Sequence, residues 1–262
     1  MPEPLVMKYG PHDRQVIGVY GDEPHSHRFV FFIHGGAWRD PRNTFRDGDT
    51  VLSAISGNSK SAGHNSVLGI SIDYQLSPEV MHPTHIEDVA LALEFVNHNY
   101  KVEKAIIVGH SVGATIALQL FQQRESWSDA TKNVLSKVTS IVGSQGIYDI
   151  RALLRDDASY EGFIREALGK ASTYEYWDIV SPLSETNKHV PELNFNGRLI
   201  VAHSPDDELL NIEIQPEIAQ RLLRTTPIKV VKNYNVRGHH DDVYQSQELV
   251  DIVKEECSLW SD

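Results

Sequence analysis

Strand-like and helix-like segments alternate along most of this chain, and that alternation limits its fold more than any other feature. "RFVFFIH" (28–34) and "SVLGISIDY" (66–74) are short, rich in β-branched and aromatic residues, and followed by Gly or Pro, as strands are. Residues 85–100 place Ile86, Val89, Ala90, Leu93, Val96 and Tyr100 at helical spacing, with most charged residues off that stripe. "KAIIVGH" (104–110) returns as a strand. "VGATIALQLFQQR" (112–124) is apolar almost all round, which predicts a helix buried inside a layered fold. "VTSIVGSQGIY" (138–148) and "GRLIVAHS" (197–204) supply two more strands, "IQPEIAQRLLRTT" (214–226) a helix, "IKVVKNYN" (228–235) a last strand and "QELVDIVKEEC" (247–257) a closing helix. This order predicts an α/β fold of mostly parallel strands with helices on both faces.

Residues 149–196 break the pattern, being helical and then loop-like, with Tyr160, Phe163, Tyr174, Tyr176 and Trp177 among them. An aromatic-rich insertion between two strands would lie over the carboxyl end of the sheet, where such folds bind ligands. It is read here as a cap, with a packing excursion as the alternative. No repeat or low-complexity linker divides the 262 residues, so one domain is expected over 1–262.

A formal charge of −12 argues against nucleic acid or an anionic membrane as partner, because both select basic surfaces. The single cysteine, Cys257, fits a reducing compartment, and "MPEPLVMKYGPHDRQ" has Pro, Glu and His where a signal peptide needs a basic start and an apolar run. Apolar runs such as "FVFFI" fall far short of the ~18 residues of a membrane helix. The expectation is a cytoplasmic protein, with a homodimer left open.

"VGHSVGAT" (108–115) sets Ser111 between two glycines at a strand–helix junction. A turn this tight holds the serine in a strained conformation, and side chains two residues to either side would strike the strand and helix, so Gly109 and Gly113 suit it. The helix N-terminus then offers unpaired N–H groups to a developing oxyanion. A serine nucleophile needs a base and an orienting acid. Both follow at predicted strand ends on the same edge of the sheet: "PDDELLN" after one strand and "VRGHHDDVY" after the next. Spacing alone does not choose among Asp206, Asp207 and Glu208, nor between His239 and His240. "FFIHGGAW" places His34, Gly35 and Gly36 after an apolar strand, where backbone N–H groups can approach a reacting oxygen.

In order, "HGGAW", "IDYQLSPE", "GHSVGAT", "HSPDDELL" and "GHHDDVY" resemble the α/β-hydrolases of the esterase/lipase group. They look most like the kynurenine formamidases, whose signature is HGGxW, and the resemblance runs from about residue 30 to 245. It implies an α/β-hydrolase fold with a small helical cap, and hydrolysis of N-formylkynurenine, an aryl formamide, to kynurenine and formate. It implies Ser111 as nucleophile, His240 as base and Asp207, counted from His203 in an HxxxD pattern, as acid. Gly35, Gly36 and Val112 match the oxyanion donors, and Trp38 matches the aromatic that ends the signature, expected beside the substrate with ordinary core packing as the alternative. Asp73, Pro78 and Glu79 hold a strand exit together. A glycine that many relatives carry after the histidine is Ser204 here. No cofactor or metal is implied.

Two rivals remain. A short-chain carboxylesterase of the same fold needs the same groups, and a hydrolase-fold binding protein usually lacks one of them. A metal site is disfavoured despite 13 histidines: Pro83 separates His82 from His85, adjacent ligands in "HHDD" converge poorly on one ion, and "DEPHSH" (His25, His27) reads as a solvated loop.

Overall fold

A computed structural model describes residues 3–21, 26–56, 66–122, 124–186, 193–224 and 226–260. His25, and residues 187–192 of the expected cap, lie outside the described residues.

The chain opens with two strands, β1 (Leu5–Lys8) and β2 (Val16–Tyr20), followed by β3 (Arg28–Ile33), helix α1 (Asp49–Ser56) and β4 (Val67–Ile72). Then come α2 (Thr84–Asn99), β5 (Lys104–His110), α3 (Val112–Gln122), α4 (Asp129–Ser136) and β6 (Val138–Ser144). Three short helices follow: α5 (Ile150–Asp156), α6 (Glu161–Leu168) and α7 (Tyr174–Val180). The chain ends in β7 (Arg198–Ala202), α8 (Gln215–Leu223), β8 (Lys229–Asn233) and α9 (Gln247–Ser258).

All eight strands form one sheet in the order β1-β2-β4-β3-β5-β6-β7-β8. β1 with β2 and β2 with β4 are antiparallel, and the remaining pairs are parallel. The central strands are buried on both faces, hence their unbroken apolar runs. Successive side chains of a strand point to opposite faces. Phe29, Phe31, Ile33 and Ile107 accordingly join the core beneath α2 and α3, whereas Val30, Phe32, Ile106 and Val108 join the one beneath α1 and α9. Every described position of α3 from Val112 to Phe121 is buried, as its all-round apolar sequence demands.

The parallel strands and four of the helices fall where periodicity puts them. β1, α1 and α4 carry no comparable signal: β1 is mostly exposed, and α4 buries only Thr131, Val134 and Leu135, whereas β2 is β-branched, aromatic and fully buried though not among the strands expected above. The mixed edge of the sheet therefore emerges from pairing that no local pattern announces. Among the described residues, no helix is long and apolar enough to cross a membrane.

Candidate active site

Ser111 sits between β5 and α3 with φ of +54°, the left-handed region that bulky L-residues avoid. Its N–H donates to Ser144 O at 2.9 Å, and its carbonyl accepts from Ala114 N–H at 3.1 Å. The flanking glycines are sterically required. A Cβ on Gly109 would lie 2.5 Å from backbone atoms of Gly113 and Ala114, and one on Gly113 would lie 2.2 Å from Ile33 O. Strand β3, the turn and α3 thus meet at backbone contact, and Val112 stands first in the helix.

The loop after β3 is anchored by buried polar groups. His34 stacks on Tyr74 with ring centroids 4.2 Å apart, and its Nε2 is 3.2 Å from Asp73 Oδ1. Tyr74 Oη donates to the carbonyls of His34 and Gly35, at 3.1 and 3.2 Å. Asp73 also pairs with Arg14 at 2.7 Å, so it does hold the strand exit together. Gly36, Ala37 and Trp38 all have positive φ, and the Gly36 carbonyl accepts from both Arg39 and Asp40 N–H.

After β7 and β8, the structure pairs one acid with one histidine. His240 Nδ1 donates to Asp207 Oδ2 at 3.0 Å, with Oδ1 at 3.1 Å. A carboxylate only accepts, so Nδ1 carries the proton and Nε2 of the neutral ring is left as an acceptor. Asp207 is further held by the N–H groups of Leu209 and Leu210, both at 2.9 Å, and by His203 Nε2 at 3.2 Å. Burial pushes its carboxyl up, but the bonds from His203, His240 and Leu210 outweigh this and hold it well below the usual carboxylate range. His239 points outward, 72% exposed, against Glu208. The Glu208 carboxylate also accepts the His240 N–H at 2.8 Å. Of the acidic triplet, then, Asp207 takes the ring and Glu208 the backbone of the same histidine.

His110, the residue before the serine, carried no signal in the sequence beyond its place in the motif. It is fully buried, and its Nε2 donates to the carbonyl of His240 at 2.9 Å. Burial, reinforced by the neighbouring His240, lowers its pKa to about 3 and keeps it neutral.

Ser111, Val112, His240, Gly36 and Ala37 line one cavity of about 240 Å³ at the carboxyl edge of the sheet. The insertion reaches it through Leu153, Tyr160 and Phe163. Gly35 and Trp38 are not among the residues that line this cavity. Gly35 packs directly against His110 and Ser111, where a Cβ would come within 2.7 Å of His110 Nδ1 and 3.1 Å of Ser111 Cβ, and Ala37 lines the cavity beside Gly36. Trp38 is 3% exposed and packs on Phe163 at 6.3 Å, supporting a lining ring without being one.

His110, His240 and Asp241 bring nitrogen and oxygen atoms within 4.8 Å of one another, though one His110 nitrogen is engaged by the His240 carbonyl. His82 and His85 point to separate partners, Tyr176 Oη at 2.9 Å and Ser77 Oγ at 3.1 Å, and burial lowers their pKa values to about 4 and about 3. Burial raises the Cys257 thiol to about 12, which leaves it unreactive at neutral pH.

A mostly parallel eight-stranded sheet with a strand–serine–helix turn at its carboxyl edge makes this an α/β-hydrolase. The same fold appears in a truncated carbohydrate esterase from gut microbiota, with a TM-score of 0.69 at 18% identity over 98% of this chain and 97% of that one. It appears also in esterase B of Lactobacillus rhamnosis, with a TM-score of 0.71 at 12% identity over 96% and 82% of the two chains. Residues 19–222 match the BD-FAE family. The chain is 34% identical over 251 residues to the kynurenine formamidase of Meyerozyma guilliermondii, spanning 95% of this chain and 91% of that protein. Against the kynurenine formamidase of Scheffersomyces stipitis the identity is 30% over 272 residues, spanning 97% and 98%. The chain belongs to the BD-FAE family and to the kynurenine formamidases, and is a hydrolase of that kind.

Proposed function

We propose that the protein hydrolyses N-formylkynurenine to kynurenine and formate through Ser111, His240 and Asp207. The observation that carries this reading is the Asp207–His240 pair, whose histidine lines the same cavity as Ser111. The kynurenine formamidase relatives supply the substrate.

In this mechanism Ser111 Oγ attacks the formyl carbon as His240 Nε2 takes its proton. The tetrahedral oxyanion accepts hydrogen bonds from the backbone N–H groups of Gly36, Ala37 and Val112, fixed in place before the reaction begins. His240 returns the proton to the aryl nitrogen, the C–N bond breaks, and kynurenine leaves. Water, deprotonated by His240, then attacks the formyl-serine ester and releases formate. Asp207 stays ionised throughout and stabilises the imidazolium. The cavity's aromatic side, Tyr160 and Phe163, faces the aryl ring, and α5 to α7 act as the cap.

Mass spectrometry after treatment with a fluorophosphonate tests the nucleophile. The adduct is expected on Ser111, and labelling elsewhere or nowhere contradicts the mechanism.

A further inference from the structure

The cavity's mouth is chemically divided. Leu153, Phe163 and Leu209 give it an apolar lining, and Arg39, Asp40, Arg42 and Asp241 a charged one. The two arginines are not equivalent. Asp40 already binds Arg42 at both Nε (3.0 Å) and Nη2 (2.6 Å), and that side chain is 85% exposed. Arg39 is held more firmly and bound less completely. Its guanidinium carbon lies 5.8 Å from the centre of the Phe163 ring, and Nη1 donates to Glu166 on α6 at 2.9 Å. Among the described residues Nε and Nη2 have no partner, which leaves two donors of a planar fork beside the cavity.

Asp241 supplies the opposite charge. It follows His240, and a carboxylate oxygen lies within 4.8 Å of a His240 ring nitrogen. Among the described residues that carboxylate accepts no hydrogen bond, and its charge acts on Arg42 without a bond to it. An oriented cation and an anion that accepts no hydrogen bond among the described residues therefore line a cavity that also carries the apolar Leu153, Phe163 and Leu209.

We propose that this charged side recognises a free zwitterionic α-amino acid on the substrate, Arg39 binding its carboxylate and Asp241 its ammonium group. The inference rests on the formamidase reading and narrows it: the enzyme selects formamides of aryl amino acids over neutral aryl formamides. Phe163 takes part twice, facing the aryl ring and fixing the guanidinium that binds the far end of the same molecule.

The test compares kcat/KM on N-formylkynurenine with kcat/KM on N-(2-acetylphenyl)formamide, which keeps the ring, ketone and formamide but lacks the amino acid. Wild type should prefer the charged substrate. Arg39→Gln should lower the charged-to-neutral ratio roughly 10- to 100-fold, mainly through KM, the range lost with a charge-assisted hydrogen bond. Arg39→Lys should recover part of it, and Asp241→Asn should lower it roughly tenfold. If wild type cleaves both substrates and neither variant moves the ratio, the inference is overturned while the formamidase reading stands. A fall confined to Arg42→Gln overturns the assignment to Arg39. If wild type cleaves neither formamide, the formamidase reading fails and takes this inference with it.

Discussion

His110 Nε2 donates to the main-chain carbonyl of His240 at 2.9 Å, joining the serine turn to the loop that carries the proposed base. The two segments are 130 residues apart in sequence, and this bond sets their separation within the cavity. His110 touches no substrate in the proposed mechanism; it positions His240. His110→Ala should therefore reduce kcat roughly 10- to 100-fold with little change in KM, since a misplaced base slows chemistry more than binding. Steady-state kinetics beside a thermal melt checks this: a fall in stability with kcat intact would make His110 purely structural.

The acid and base assignments are testable by paired substitutions. His240→Ala and Asp207→Asn should each lower kcat/KM by roughly 10³-fold or more, as losses at such positions do in serine hydrolases. His239→Ala and Asp206→Asn should change it by less than about tenfold, because neither His239 nor Asp206 makes the Asp207–His240 contact. Comparable losses within either pair would dissolve the assignment.

Asp207 also makes stability depend on pH. Its carboxyl is held below its unfolded value, so it binds fewer protons in the folded state. Its contribution is therefore complete above the unfolded pKa of about 3.9 and is lost progressively as pH falls below that. Wild type should lose stability more steeply than Asp207→Asn on acidification below about pH 4. Denaturant melts from pH 6 down to pH 2.5 measure the two slopes, and parallel slopes would remove Asp207 as the cause.

Gly113 should not tolerate a methyl group. The added Cβ would come 2.2 Å from Ile33 O, forcing β3 away from α3 and with it the loop that carries Gly36 and Ala37. Gly113→Ala should cost about 1–3 kcal/mol or more of stability. A variant as stable as wild type would show that strand and helix can part without penalty.

The parts of the site that follow strands were legible in the sequence, because the fold puts every strand's carboxyl end on one edge. Ser111, Asp207 and His240 share that edge for this reason alone. The choice of Asp207 over its neighbours needed either a family pattern or the structure, since adjacent residues differ only in which way their side chains leave the turn. Trp38 takes the core position that stood as the alternative for it, and Gly35 packs beside Ser111 behind the cavity lining. A run of positive φ from Gly36 to Trp38 rotates the loop, turning Ala37 toward the cavity and Trp38 into the core. His110 was silent because its role depends on a carbonyl far along the chain. Strand β1 was silent because it is mostly exposed, whereas β2 (VIGVY) is fully buried and has the same β-branched and aromatic make-up, with an internal glycine, as β4.

Turnover of N-formylkynurenine, followed by absorbance beside p-nitrophenyl acetate for wild type and Ser111→Ala, tests the central claim most directly. Rapid loss of the formamide, slow cleavage of the acetate, and a fall of roughly 10⁴-fold or more in the variant with its melting temperature nearly unchanged are the predicted results. Acetate cleavage without formamide cleavage would leave a general esterase, and formamide cleavage that survives Ser111→Ala would remove the serine from the chemistry.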